Sequence, residues 1–478
     1  MGREISAGQF EQADFDRFAE RLAAETAALR ELFAGDRFSR RHGVGGYELE
    51  AWLVDRANRP APVNEAFMAR MPADTVTPEL ARFNFELNAH PAAVSGDALA
   101  GMEAEMAANW ARCREVAAEL DAAPVMVGIL PTVTDAMLGV ANMSAMARYQ
   151  ALNEQVLRAR QGRPIPLDIQ GAEFLHTEHT DVMLEAATTS FQLHLQVAPD
   201  KAVRYYNAAM VLSAPMVGAS ANSPFLFGKR LWRETRVPLF EQAVAAGGFG
   251  GAAFGPVKRV TFGNGYVRRS LLEVFEENLA HYPVLLPVDL GDEDPATLPH
   301  LRLHNGTLWR WNRPLLGFDD DGTPHLRLEH RVVPAGPSVA DSVANAALFF
   351  GLAHALGEQA EAPEAVLEFA TVRENFYKAA KHGLEARLTW LDGRHWPLAR
   401  LLRERLLPAA REGLAEQGCS PADIERYVGI LEERVRTRQT GAAWQIAYAN
   451  AHGRDLAALV GAYRRHQDSG APVHEWPV

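Results

Sequence analysis

The stretch Gly46-Tyr-Glu-Leu-Glu-Ala-Trp-Leu-Val-Asp55 sets the reading of this 478-residue chain. Extended as a strand, it places Tyr47, Leu49, Ala51 and Leu53 on one face and points Glu48 and Glu50 together from the other. Neighbouring carboxylates repel, so such a pair needs a cation, a proton or basic partners beside it.

Three further segments repeat the design. In Arg82–Asn88, Asn84, Glu86 and Asn88 oppose Phe83, Phe85 and Leu87, and His90-Pro91 ends the run. In Thr189–Val197, Ser190, Gln192, His194 and Gln196 oppose Phe191, Leu193, Leu195 and Val197. In His325–Val333, Arg327, Glu329 and Arg331 oppose Leu326, Leu328, His330 and Val332. Each apolar face can pack on helices while the polar faces gather, which predicts an α+β fold around an antiparallel sheet. A sheet with one wet face would alternate too, but its polar positions would favour Thr, Lys, Ser and Glu. These faces hold acids, amides, one histidine and paired arginines, and no lysine. Carboxylates with an imidazole suit magnesium or manganese, and arginines flanking a carboxylate suit a phosphoryl group or a substrate carboxylate. Clustered ionisable groups of this kind mark a site.

The rest of the chain fits a globular protein, at 48% hydrophobic and 23% charged residues. A net charge of -12 argues against general nucleic-acid or anionic-membrane binding, both of which need a basic surface. Only Cys113 and Cys419 occur, without metal-ligand spacing, which fits a reducing cytoplasm. Met1–Asp16 lacks an apolar signal core, and the uncharged run Val343–Gly357 is too short to span a bilayer. Helical periodicity is expected over Asp14–Phe33, Asp97–Leu120, Ala141–Arg160 and Lys201–Met216. The methionines of the third read as core filler. Short strands are expected at Pro124–Leu130 and Leu303–Trp311, and a hairpin turn at Asp319–Gly322. The three aspartates there lack the rest of a calcium loop. Five glycines in Gly247–Gly255 allow a flap or a close ligand approach but match no phosphate-loop pattern. From Ser338 the pattern is helical, over Asp341–Gln359, Ala362–His382, Pro397–Gln417, Pro421–Arg438 and Trp444–Arg465. The division expected is a catalytic α+β sheet region over residues 1–337 and a helical C-terminal region over 338–478 packed on the same core.

Taken in order, Gly46-Tyr-Glu-Leu-Glu50, the strand ending Glu86-Leu-Asn88, Gln192-x-His194, Ala221-Asn-Ser-Pro224 and Glu329-x-Arg331 resemble the motifs of the glutamate–cysteine ligase superfamily, in its bacterial and plant-type carboxylate–amine ligase branch. The resemblance implies a glutamine-synthetase-like fold in which a curved antiparallel sheet forms an active-site funnel. It implies ATP as co-substrate and activation of a glutamate γ-carboxylate as an acyl phosphate that an amine attacks. Carried over by position, Glu48, Glu50, Glu86, His194 and Glu329 are the metal-ligand candidates. Arg331, with Glu50, is the catalytic candidate, facing the transferring phosphoryl group. Gln192, Gln196, Asn222, Arg236, Arg327 and Lys258 are candidate ATP or substrate contacts. The expected partners are glutamate, an amine or amino acid and ATP, with homo-oligomerisation left open. Relatives commonly carry an acid three positions beyond the Glu-x-Arg arginine, where this chain has Pro334; the acceptor is therefore open between cysteine and other amines.

Two rival readings use the same residues: a metal-dependent amide hydrolase working without ATP, and a non-catalytic protein that binds ATP or an amino acid. Among smaller signals, His42, His176 and His179 read as surface or capping groups, and His176-x-x-His179 as a weak metal pattern. Lys258 and Arg259 read either as phosphate contacts or as a solvated strand end, and Asn222-Ser-Pro224 as a turn shaping a pocket wall.

Overall fold

The computed structural model describes residues 10–72, 75–246, 258–291 and 293–478. The glycine-rich Gly247–Gly255 segment lies outside the described residues, as does the start of the N-terminal stretch.

An eight-stranded antiparallel sheet organises the chain. The strand Val44–Val54, carrying Glu48 and Glu50, lies near its middle. On one side it pairs with Phe191–Val197, which pairs with Pro324–His330 and then Asn312–Phe318 at the edge. On the other side it pairs with Asn84–Asn88, followed by Val76–Pro78 at the opposite edge. Ala92–Ala93 and Ala123–Val125 pair with the two ends of the central strand.

The register converts sequence alternation into a shared surface. Glu48 stands opposite Gln192 and Asn88, Glu50 opposite Glu86, and His194 opposite both Gly46 and Glu329. Because pairing keeps side-chain faces in step, the acids, amides and arginines of four strands point the same way. The apolar face packs on the helices Ala202–Ser220 and Val339–Glu358. Packing is close there: a Cβ at Gly45 would lie 2.8 Å from Phe350 Cζ. The Val339–Glu358 helix is long and apolar enough to cross a membrane, but 83% of its most apolar window is buried inside the protein.

Several elements differ from the sequence reading. Leu303 lies in a helix, Pro299–Gly306, opened by a proline in its first turn, and only Trp309–Arg310 of the expected strand is extended. The hairpin does form, with Asn312–Phe318 as its outgoing strand and Gly322 in its turn at φ +84°. The third N-terminal helix begins later than expected, at Ala147, after a 3-10 turn at Val140–Asn142. The strand expected at Pro124–Leu130 is instead Ala123–Val125, which reaches only the first two residues of that segment. Trp444–Arg465 divides at Gly453 into Gly441–His452 and Leu456–Asp468, and a small hairpin, Arg387–Thr389 with His395–Pro397, interrupts the helical C-terminal pattern.

Candidate active site

A cavity of about 780 Å³ covers the polar face of the sheet. It runs from the Leu315 and Leu316 edge across the central strands to Thr77 and Pro78 at the other edge. The opposite wall comes from three helices that contribute Arg148, Phe275 and Arg302.

Two groups of side chains with the donor atoms to hold a metal ion sit side by side at its floor. Glu48, His194 and Glu329 offer ligand atoms within 4.8 Å of one another, and so do Glu50, Glu79 and Glu86. In the first group His194 Nε2 and Glu48 Oε1 are 3.6 Å apart, and His194 Nε2 and Glu48 Oε2 are buried without a hydrogen-bond partner. Buried polar atoms normally find partners, so two orphans pointing together fit a cation held between them. Burial lowers the His194 pKa, although Glu48 opposes it, and this leaves a neutral ring with a lone pair to donate. Glu329 has the opposite tendency. Burial works against its ionisation, yet Arg313 at 2.7 Å and Arg331 at 3.0 Å hold it well below the usual carboxylate range.

In the second group the carboxyls are crowded rather than paired. Burial and the Glu48 charge push Glu86 up to about 8, with Thr77 Oγ1 donating to it at 2.8 Å. Glu79 is raised well above the ordinary range by burial and the charge of Glu86, and Glu50 is raised by burial. Glu50 is also fixed in place: the Ser190 amide and Gln192 Nε2 each donate to it at 2.6 Å, and Arg331 Nη1 lies 3.7 Å away. Three carboxyls driven toward protonation by burial, and two of them also by neighbouring carboxylates, are what a divalent ion would relieve. The all-oxygen donor set suits magnesium or manganese.

The sequence candidates therefore fall into two sets. Glu48, Glu50, Glu86, Gln192, Arg327, Glu329 and Arg331 border the cavity, and His194 lies behind it against Glu48. Gln196 shares their face but is buried near the hairpin, with Nε2 3.5 Å from Asp319 Oδ1. Asn222, Arg236 and Lys258 do not line the cavity. Arg236 is 1% exposed and spends its guanidinium on Glu234 at 2.9 Å and on the carbonyls of Arg331 and Val332. It props the Glu329-x-Arg331 segment from behind, buried away from the cavity where a substrate carboxylate would sit. Asn222 donates to the Ala335 carbonyl and the Tyr463 hydroxyl and accepts from Gln445, which makes it an internal tie. Lys258 faces Glu241 at 3.8 Å. Arg259 is neither solvated nor free, because it is buried and bonded to Thr307 and the Pro283 carbonyl. His176 and His179 cannot share an ion: they lie on opposite faces of the strand Phe174–His179 and contact Asp168 and Asp135 respectively.

Glu79, Arg148, Glu185, Arg302 and Arg313 were not visible in the sequence as site residues. None belongs to an alternating polar face shared with another candidate; Glu79 and Glu185 sit just outside strands, and Arg148 and Arg302 are on helices. Arg313 does stand directly opposite Glu329 in the hairpin. A hairpin register counted out from the Asp319–Gly322 turn would have found it.

No curated protein matches the chain by sequence. By structure, the chain is similar to a glutamate–cysteine ligase of Francisella tularensis solved in complex with AMP, with a TM-score of 0.53 at 13% identity over 92% of this chain and 91% of that one. A bifunctional glutathione synthetase of Pasteurella multocida is more distant, with a TM-score of 0.45 at 12% identity over 92% of this chain and 55% of that one. The first of these supports the curled antiparallel half-barrel with flanking helices. The family model for glutamate–cysteine ligase family 2 matches residues 44–470, which include every floor residue described above and support an ATP-dependent carboxylate–amine ligase. The chain belongs to glutamate–cysteine ligase family 2.

Proposed function

We propose that the protein couples the γ-carboxylate of glutamate to an amine in an ATP- and magnesium-dependent reaction. The observation that carries this reading is Arg331, set between Glu50 at 3.7 Å and Glu329 at 3.0 Å where the two acidic groups meet. A carboxylate is a poor acyl donor, and converting it to an acyl phosphate brings two anions together. Positive charge must then be fixed where phosphoryl charge develops. Glu48, His194 and Glu329 would hold one ion, and Glu50, Glu79 and Glu86 a second. Bound magnesium would neutralise phosphate oxygens. Arg331, already oriented by two bonds to Glu329, is the group to meet the transferring phosphoryl. Arg327 and Arg302 stand toward the Leu315 edge to meet the remaining phosphates, beside an apolar wall of Phe275, Leu286 and Val288 suited to an adenine ring. Gln192 fixes Glu50.

Four arginines border the cavity, which favours a polyanion over the amide-hydrolase alternative. The buried, unpaired thiols of Cys113 and Cys419 support a cytoplasmic setting.

The test is ADP release with magnesium, ATP, glutamate and a panel of amines. Release that requires all four components is expected. Background ADP with every acceptor would remove the ligase assignment, and glutamine-type amide cleavage without ATP would install the hydrolase. Glu50→Gln should lower magnesium-dependent turnover at least about 100-fold, since even partners behind a metal ligand cost 10–100-fold.

A further inference from the structure

Three acids among the described residues line the cavity outside the two three-ligand groups, and of Glu185, Asp289 and Glu293 it is Glu185 that feels the charge of Glu50. Glu185 projects from the 3-10 turn Met183–Ala187, just before the His194 strand, and lines the cavity. Among the described residues its carboxylate has no hydrogen-bond or ion-pair partner. The turn is pinned from outside, with the Val182 amide donating to Asn153 Oδ1 at 3.0 Å. The carboxylate is thus held in position by its backbone rather than by a bond of its own.

A second, independent group is open beside the same Glu50 carboxylate. Gln192 is 1% exposed, lines the cavity and has a buried Oε1 with no partner. Its amide cannot be flipped to satisfy that oxygen, because Nε2 must face Glu50 Oε1 at 2.6 Å. The Glu185 carboxylate, which the Arg331 charge offsets only in part, and the open amide oxygen are both acceptors, so the missing group is a donor with positive charge. A magnesium ion would demand about six oxygens, and Glu185 belongs to neither cluster that supplies them. A primary ammonium offers three donors and no acceptor. The nearby arginine is already engaged, since Arg148 donates to the Pro78 carbonyl and the Tyr149 hydroxyl.

We propose that Glu185, with Gln192 Oε1, binds an ammonium group of a substrate in the carboxylate–amine ligation, and this rests on the ligase reading above. The ammonium belongs either to the acceptor amine or to the α-position of glutamate. Burial and the charge of Glu50 push the Glu185 carboxyl up to about 8, a cost that a cation beside it would remove.

Hydroxylamine separates the possibilities, because it is an uncharged nucleophile at neutral pH and traps a γ-glutamyl phosphate as the hydroxamate. Wild type and Glu185→Gln are compared for hydroxamate formation with hydroxylamine and for ADP release with L-cysteine, glycine and ethylamine. If Glu185 holds the acceptor, the variant keeps hydroxamate formation while KM for the charged amine rises about 10- to 100-fold, the worth of one charge-assisted bond. If it holds the donor, KM for glutamate rises by that factor with both nucleophiles and the amine KM stays put. Glu185→Asp, which keeps the charge, should recover most of either loss. The inference is overturned if all KM values stay within about twofold, or if kcat is lost with both nucleophiles at unchanged KM. Wild-type protein that makes neither hydroxamate nor ADP removes the ligase reading itself, and the inference with it.

Discussion

Around the cavity, buried charged residues are held by opposite charges and by backbone carbonyls. Arg313 is fully buried, pairs with Glu329 at 2.7 Å and donates to the carbonyls of Asn305 and Gly306 at the end of the wall helix. It therefore joins the sheet floor to the cavity wall through one guanidinium. Removing one partner of a buried pair leaves the other charge uncompensated, at about 3–5 kcal/mol. Arg313→Met should lower unfolding free energy by that amount in urea titrations. A change below about 1 kcal/mol would mean that Arg331 alone suffices for Glu329. Arg236 makes the same point about legibility. Its position after Asn222-Ser-Pro marked it as a substrate contact, yet it is the Glu234 side chain and two backbone carbonyls that take its donors. Sequence shows that an arginine is present and says nothing about which acceptors reach it first.

At the scale of elements, helix contacts hold the sheet from behind, and some leave no room for a side chain. The Val339–Glu358 and Leu407–Glu416 helices meet at Gly351 and Gly413, where a Cβ on Gly413 would lie 2.1 Å from the Gly351 carbonyl oxygen. Relief requires backbone movement, because the obstacle is main chain. Gly413→Ala should destabilise the protein by about 1–3 kcal/mol, the usual cost of overpacking, whereas Gly429→Ala, with open space around its Cβ, should be neutral or stabilising. Thermal melts of the two variants compare these directly. The helices themselves were legible because a buried stripe repeats every three to four residues, but their meeting points were not. The same holds for caps. Asp97 precedes the Ala98–Glu119 helix, yet Asp423 of a distant helix accepts the amides of Leu99 and Ala100.

For the whole molecule, folding concentrates negative charge at one cavity, and this links stability to pH and to metal. Glu86 is raised from 4.5 to about 8, and Glu50 and Glu79 move in the same direction. A carboxyl raised in the folded state contributes stability below its unfolded value and loses it as pH climbs through its folded value. Metal-free protein should therefore show a falling Tm between about pH 4.5 and 8. Magnesium should flatten that fall, because the ion replaces the protons, and a saturating ion at 100 times its Kd adds about 2.7 kcal/mol. Titrating metal-free protein with magnesium near pH 7 should release protons. A pH-independent Tm difference between the two forms would contradict this linkage. By itself the sequence determined the α+β class, the strands whose polar faces gather and five of the six side chains in the two clusters, because a period of two fixes side-chain direction within a strand. Only the tertiary structure decided strand order, the cavity that crosses it and the late arrivals Glu79, Glu185 and Arg313. It also decided which expected contacts, Arg236 and Asn222 among them, are spent internally. Those outcomes depend on which distant groups come within bonding distance, and local periodicity carries no information about that.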